Sequence, residues 1–232
     1  LVKQKIARMS AYVYAMDSML YATTGFLDRG DEDIMVETAI CKTFCSEMGL
    51  RTVNDAMQIM GGESYMTENE VERIFRDSRI NTIVEGANEV MQAFVFAYGG
   101  KQLAEKLLGL KDAAEKFQIS WNVVKAGVPV ATEVVLGIRR KAPAIEGLHP
   151  SLIKQGERMG KLISELSYQF KASSKRFDAE IVTRQCVQAR IADAAIYLHA
   201  WACTLSRLDK DIRAGHGGLE FERDKAAALH FF

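Results

Sequence analysis

The sequence predicts an all-α protein built from two helical bundles. Apolar residues recur at helical spacing along most of the 232 residues, and no segment shows the alternation that is typical of a strand. The chain has only 3 prolines, all between residues 129 and 150, and this clustering indicates a domain boundary or an irregular connection. We therefore expect a first helical domain at 1–110, a connector at 111–148 and an additional helical domain at 149–232.

The first domain is expected to contain four helices. Their apolar stripes and end signals place them at about 1–28, 33–60, 68–79 and 87–108. Gly30 follows the first helix as part of its C-cap, and the pair Gly61-Gly62 ends the second. A second pair, Gly99-Gly100, predicts that the fourth helix is broken or bent there.

The second domain is expected to contain three helices, at about 151–177, 178–214 and 219–232, the first of them started by Pro150. The connector before them contains an apolar stretch, residues 118–142, which ends in basic residues. It is either an interdomain connector or a segment that lies in a membrane interface, although Gly127 and Pro129 would interrupt a helix lying there.

The composition excludes several functional classes. Thirty basic and thirty acidic side chains cancel, so no overall charge attracts the chain to nucleic acid or to an anionic membrane. No segment reads as a secretory signal, and no apolar run is long enough for a membrane span. We expect a protein that is not secreted and binds no nucleic acid.

The four cysteines do not predict a metal site. Cys41 and Cys45 lie four residues apart and would share a helix face, but no histidine or further cysteine lies nearby in the sequence to complete a set of ligands. Small buried apolar side chains are the better interpretation, and this usage of cysteine favours a reducing compartment. The four histidines are scattered and form no site.

The segment Gln58 to Gly62, "QIMGG", allows two interpretations. The two glycines cap a helix, with one of them at positive φ, or they let a phosphate or a ring system approach the backbone closely. The glycines follow a helix and not a strand, so this is no dinucleotide-binding fingerprint.

The charged segment "EVERIFRDSR" also allows two. Glu72 and Arg76 are spaced as an ion pair on a solvated helix face, whereas Arg73, Arg76 and Arg79 together could hold an anion.

Glu85 is the candidate for catalysis. It follows Ile83 and Val84, precedes Gly86, and stands at a helix entrance. Such an acid is either a charge that favours the helix dipole, or a general base that apolar neighbours partly desolvate while the glycine leaves room for a substrate.

These segments together resemble the C-terminal part of the acyl-CoA dehydrogenase family. The resemblance runs in order through "AICKTFCSE", "DAMQIMGGESYMTENEVERIFRDSRINTIVEGANEV" and the helix that follows. The remainder, including "GLHPSLIKQGERMGKLI" and "VTRQCVQARIADAAIYLHAWACTLSR", resembles the extra C-terminal helical domain of the very-long-chain branch. Nearly all of the chain is covered.

The resemblance implies an FAD-dependent flavoprotein that makes a trans-2,3 double bond in long or very-long-chain fatty acyl-CoA, as in β-oxidation. Glu85 matches the base that removes the α-proton, while a hydride passes from Cβ to the flavin, and Gly86 matches a position that leaves the substrate carbonyl room. The residues that match FAD-contacting positions are Gln58, Gly61 and Gly62, in a turn that meets the FAD of the neighbouring subunit, and Ala87, Asn88 and Glu89.

The same resemblance implies a homodimer, electron-transfer flavoprotein as the electron acceptor, and peripheral membrane contact through 118–142. It places the protein in a bacterial cytoplasm, or in the mitochondrial matrix or at its inner-membrane face. An assembly or scaffold protein of the same lineage is the alternative. Ala87 departs from the family pattern, because a threonine usually follows Glu-Gly.

The sequence opens at Leu1 inside a predicted helix, and we expect it to be a piece of a longer protein. The family's N-terminal helical domain and middle β-domain cannot be fitted into these 232 residues. We therefore expect that this piece alone does not turn over acyl-CoA.

Overall fold

The computed structural model describes residues 1–115, 121–137 and 139–232, and every regular element in these ranges is helical. This confirms the all-α prediction. The α-helices are α1 (Val2–Asp28), α2 (Met35–Met60), α3 (Glu70–Ile80), α4 (Asn88–Glu115), α5 (Trp121–Leu136), α6 (Ile153–Phe177), α7 (Gln185–Arg213) and α8 (Gly218–Phe231). Short 3₁₀ segments lie at Gly61–Tyr65, Pro150–Leu152 and Asp178–Val182.

The fourth helix is not broken at the glycine pair, because α4 runs through Gly99 and Gly100 without interruption. A bend at this point stays a prediction. Gly100 is buried, and a Cβ built on it would stand 2.3 Å from Cε2 of Phe170 in α6. The absence of a side chain at Gly100 therefore allows α4 and α6 to approach closely. Its function is interhelical packing, and it does not end the helix.

Two other boundaries also differ from the prediction. The connector contains a helix, α5, with Pro129 inside it. A proline removes one helical hydrogen bond, but the helix continues on both sides. The helix expected from about residue 178 begins at Gln185, because a 3₁₀ segment, Asp178–Val182, precedes it.

Two apolar cores hold the helices together. The first is formed by α1, α2, α4 and α7, and its most buried members are Ala15, Met19, Phe44, Ala192 and Ala200. The second is formed by α1, α6, α7 and α8 with the 3₁₀ segment before α6, around Leu152, Leu205, Leu208 and Ala228. Helices from both predicted domains thus share each core, and the division at 110 and 149 stays a prediction.

Ion pairs link the helices at two buried carboxylates. Asp55 in α2, 4% exposed, accepts hydrogen bonds from Lys5 (3.0 Å) and Arg8 (2.5–2.9 Å) in α1. Glu133 in α5, 1% exposed, lies 2.6 Å from Nζ of Lys171 in α6 and 3.1 Å from Nε of Arg140.

Within the described ranges, no helix is long and apolar enough to cross a membrane. In the segment 118–142, residues 118–120 and 138 lie outside the described residues, and α5 covers 121–136. Contact of this segment with a membrane surface stays a prediction.

Candidate active site

The loop between α3 and α4 presents Glu85. The N–H groups of Ile83 and Val84 bond to the carbonyl of Ile80 at 2.8 and 3.0 Å and continue the last turn of α3. Glu85 and Gly86 then follow with φ of 54° and 87°. Two successive residues in the left-handed region turn the chain sharply. A left-handed conformation is common for glycine but unfavourable for a glutamate, so the surroundings must stabilise it.

The side chain of Glu85 lies on the surface, and so do its apolar neighbours. Ile83 is 51% exposed and Val84 43% exposed. The sequence predicted that these neighbours would partly desolvate the carboxylate, but in this structure all three side chains are accessible to water. The loop therefore combines a carboxylate with an exposed apolar surface.

The backbone N–H of Glu85 is a second feature of the loop. It makes no hydrogen bond in the part of the chain that the structure describes, whereas the N–H groups of Ile83, Val84 and Asn88 all do. An exposed residue thus offers both a proton acceptor, its carboxylate, and a hydrogen-bond donor, its own backbone N–H.

Three side chains of α2 bond to Gly86 and Asn88, where the loop enters α4. We call these side chains, Lys42, Ser46 and Glu47, the α2 clamp. Nζ of Lys42 donates to the carbonyl of Gly86 and to Oδ1 of Asn88, each at 2.7 Å. Nδ2 of Asn88 donates to Oγ of Ser46 and to Oε1 of Glu47, each at 2.9 Å.

The chemistry of these partners fixes the orientation of the Asn88 amide. An ammonium can only donate and a carboxylate can only accept, so the amide oxygen must face Lys42 and the amide nitrogen must face Glu47. Asn88 is 4% exposed. Its backbone N–H also bonds to the carbonyl of Thr82 at 3.1 Å, which closes the loop at the start of α4.

The α2 clamp also brings charge close to the loop. Burial lowers the pKa of Lys42, and the carboxylates of Glu47, Glu89 and Glu85 oppose this by favouring the ammonium. Lys42 therefore lies within electrostatic range of Glu85, although its hydrogen bonds go to neutral oxygens.

The Gln-Gly-Gly turn lies at the far end of α2. Gly61 ends the helix with φ of 72°, and its N–H bonds to the carbonyl of Met57. Oγ of the buried Ser64 lies 2.7 Å from the carbonyl oxygen of Gly61. Gln58, Gly61 and Gly62 are exposed, and beyond the adjacent residues and the local helix backbone no described atom lies within 4 Å of a Cβ built on either glycine.

The turn and the Glu85 loop are well separated within one chain. Lys42, which contacts the loop, and Gln58 lie sixteen residues apart on α2. At 1.5 Å per residue, this places them about 24 Å apart along the helix axis. The structure therefore does not bring the predicted turn and the predicted base together in a single chain.

Two cavities lie among the described residues, and Glu85 lines neither of them. One of about 1050 Å³ is lined by α1, α6, α7 and α8, and one of about 720 Å³ is lined by α1, α2 and α3. The Gln-Gly-Gly turn also lines neither cavity, whereas Glu47 and Arg79, which bond to Asn88 and Thr82, line the second.

Comparisons with known proteins support the resemblance. The family model described as "Acyl-CoA dehydrogenase, C-terminal domain" matches residues 1–97. The mitochondrial very long-chain specific acyl-CoA dehydrogenases of mouse (Mus musculus) and human (Homo sapiens) are 31% and 32% identical to this chain, each over 96% of its length. The chain belongs to the acyl-CoA dehydrogenase family. It spans about a third of the length of these relatives, since the match covers 34% of each.

A solved structure has the same fold. An acyl-CoA dehydrogenase from Bacillus anthracis, crystallised as a complex with FAD, matches 98% of this chain and 38% of its own with a TM-score of 0.71 and 24% identity. At that identity the likeness concerns the fold alone.

In this chain, the α2 clamp is the feature that the sequence analysis did not identify. The segment "AICKTFCSE" contributed to the resemblance, but Lys42, Ser46 and Glu47 received no role. A signal was present, because residues four apart share a helix face. Their partners lie more than 40 residues away in the sequence, and spacing alone does not identify such contacts.

The charged segment of α3 shows the predicted ion pair. Arg76 Nε lies 2.7 Å from Glu72 Oε1, which supports the interpretation as a solvated face. Arg79 has a different role, because its guanidinium bonds to the hydroxyl of Thr82 inside the Glu85 loop. Cys41 and Cys45 do share a face of α2, with their sulfur atoms 3.9 Å apart.

Proposed function

We propose that this chain is the C-terminal part of an FAD-dependent acyl-CoA dehydrogenase that acts on long or very-long-chain fatty acyl-CoA, with Glu85 as the base. The observation that carries the proposal is the conformation of Glu85. One exposed residue presents a carboxylate and an unbonded backbone N–H beside the apolar side chains of Ile83 and Val84.

These two groups, the carboxylate and the N–H, are suited to removing the weakly acidic α-proton of a thioester. An α-proton is removed more easily when a donor stabilises the charge that develops on the carbonyl oxygen. The Glu85 N–H is free to donate to that oxygen, while the Glu85 carboxylate accepts the proton from Cα. The acyl chain would cover Ile83 and Val84 and exclude water from the carboxylate, which raises its basicity.

The residues of this chain fit a flavin. Gly61 and Gly62 leave open space in an exposed turn, and Gln58 is accessible beside them. The turn and the segment formed by Ala87, Asn88 and Glu89 would hold the cofactor from two sides. When bound, FAD supplies the acceptor for the hydride that leaves Cβ.

The separation of about 24 Å along α2 supports a homodimer in which the two parts of the site come from different subunits. In that arrangement the turn of one chain would complete the site beside Glu85 of the other. Electron-transfer flavoprotein would accept the electrons. A bacterial cytoplasm and the mitochondrial matrix or inner-membrane face are the proposed locations.

The test is Glu85→Gln in the full-length protein, because this chain spans only a third of its relatives. We expect reduction of bound FAD by palmitoyl-CoA to slow by about 10²- to 10⁴-fold, the usual contribution of a general base. Glu70→Gln, an exposed acid in the first turn of α3, is the control and should leave the rate unchanged. An unaltered rate in Glu85→Gln would contradict the proposal and favour the assembly or scaffold alternative.

A further inference from the structure

We propose that Lys42 is a positioning residue for Glu85, because its ammonium holds the Glu85-Gly86 segment in the conformation that presents the carboxylate and the free N–H. The inference rests on the proposed function, since it takes Glu85 to be the base. Lys42 touches neither substrate nor cofactor in this proposal and acts only through the loop.

The loop needs such support, because its own contacts do not determine the conformation of Glu85. A glutamate at φ of 54° is in a region that residues with a side chain rarely adopt. Ile83 and Val84 are about half exposed, so burial of these apolar side chains does little to fix the loop. Without an outside partner, Glu85 would spend part of its time at negative φ.

Lys42 provides that partner directly beside Glu85 in the chain. It donates to the carbonyl of Gly86, the residue directly after Glu85, at 2.7 Å. Only glycine fits here without displacing the end of a neighbouring side chain, since a Cβ at Gly86 would stand 2.4 Å from Cε of Met91. The peptide between Gly86 and Ala87, one residue beyond Glu85, thus has its carbonyl bonded to a charged donor, which is a strong type of hydrogen bond.

The hydrogen bonds of the α2 clamp restrict the position of the Lys42 side chain. Its second hydrogen bond goes to Asn88, which Ser46 and Glu47 hold from the next turn of α2. Phe44, two residues from Lys42, is 1% exposed and anchors this part of α2 in the core. The loop is therefore attached to a rigid helix at two points, Gly86 and Asn88.

Loss of Lys42 should lower kcat more than it raises KM. The exposed loop would still meet the substrate, but a smaller fraction of molecules would hold the carboxylate in reach of the α-proton. A displacement of about 1 Å at a reacting group costs about 10²-fold in rate. We expect a fall in kcat of about 10- to 10²-fold.

The experiment uses the full-length protein with three substitutions at one position. Lys42→Met removes the donors and keeps the length of the side chain, Lys42→Gln retains a weaker donor, and Lys42→Arg retains charge and donors. Lys161→Met, an exposed lysine of α6, is the matched control. The measurements are FAD content, kcat and KM for palmitoyl-CoA, and the deuterium isotope effect on kcat for substrate labelled at Cα.

For Lys42→Met we expect full FAD content, the reduced kcat and a larger isotope effect, because proton removal becomes more rate-limiting. Lys42→Arg should restore most of kcat, and Lys161→Met should resemble the unmodified protein. If Lys42→Met does not fold, Lys42→Gln takes its place with an intermediate loss of kcat. Unchanged kcat and an unchanged isotope effect in the folded variant would overturn the inference.

Glu85→Gln in the same assay separates this inference from the proposed function. If Glu85→Gln retains flavin reduction, the proposed function fails. If Glu85→Gln is inactive while Lys42→Met behaves like the unmodified protein, only the positioning role fails.

Discussion

The adjacent glycines Gly99 and Gly100 of α4 provide a test of how this helix packs against α6. Gly99 is exposed, and the nearest atom to a Cβ built on it is Cγ1 of Val36 at 4.0 Å. Gly100 is buried, and its Cβ would stand 2.3 and 2.4 Å from two ring atoms of Phe170. The same substitution at neighbouring positions of one helix should therefore have different effects on stability.

The expected changes in the free energy of unfolding combine two contributions, helix propensity and packing. Replacing glycine by alanine inside a helix gains about 1 kcal/mol of helix propensity, and both positions gain it. At Gly100 the Phe170 ring must also move, and overpacking of this kind costs about 1–3 kcal/mol. Phe170 is 8% exposed and its ring centroid lies 5.3 Å from that of Phe96, so the ring has little room to move.

We therefore expect Gly99→Ala to raise the free energy of unfolding by about 1 kcal/mol. The free energy of unfolding of Gly100→Ala should lie about 1–3 kcal/mol below that of Gly99→Ala. Urea unfolding followed by far-ultraviolet circular dichroism measures both. Phe170→Leu removes the ring atoms in the way, so a double-mutant cycle with Gly100→Ala should give a coupling energy of about 1–3 kcal/mol.

Two results would refute this reasoning. One is a stability of Gly100→Ala that lies within about 0.5 kcal/mol of Gly99→Ala. The other is a penalty at Gly100 that persists in the Phe170→Leu background. Either result would mean that α4 and α6 do not approach at Gly100 as the structure shows.

Two further predictions concern the ion pair of α1 and α2 and the start of α4. Burial raises the pKa of Asp55, but hydrogen bonds from Arg8 and Lys5 outweigh this and lower it overall. Its stabilisation is thus present at neutral pH and lost as the pH falls through the lowered pKa. Asp55→Asn should lower the free energy of unfolding by about 1–3 kcal/mol at pH 7, and this loss should shrink below about pH 4. Urea unfolding at a series of pH values measures it, and a loss that stays constant with pH would contradict the prediction. Ala87 precedes α4, and its carbonyl accepts hydrogen bonds from the N–H groups of Val90 and Met91 at 2.9 and 3.0 Å. Ala87→Thr should therefore add an N-cap and raise the free energy of unfolding by about 0.5–2 kcal/mol when no FAD is bound. No increase in stability in thermal or urea unfolding would count against this prediction.

The sequence predicted most helix ends well because the signals for them are local. Gly30 at φ of 81° and Gly61 at φ of 72° stand just beyond α1 and α2, as glycines that end helices do. Gly99 and Gly100 gave the same signal for a different reason. The reason for Gly100 is Phe170, 70 residues further on, and a local pattern contains no information about it.

The candidate site shows the same limit, namely that a local sequence pattern does not reveal contacts with distant residues. An acid before a glycine at a helix entrance could be selected from the sequence, and the structure places Glu85 in an exposed loop at that point. The positive φ of Glu85 itself could not be predicted, because the side chains that stabilise it come from α2. Long-range hydrogen bonds of this type connect residues more than 40 positions apart.

Asn88 illustrates how a role inferred from resemblance changes when the contacts are known. The resemblance implies that it lies against FAD, and that role stays a prediction. Its amide oxygen already accepts from Lys42, and its amide nitrogen already donates to Ser46 and Glu47. A buried amide with both ends satisfied has little capacity for a further partner. Any contact of Asn88 with a cofactor would therefore involve the backbone at the start of α4, and its side chain serves to attach that helix to α2.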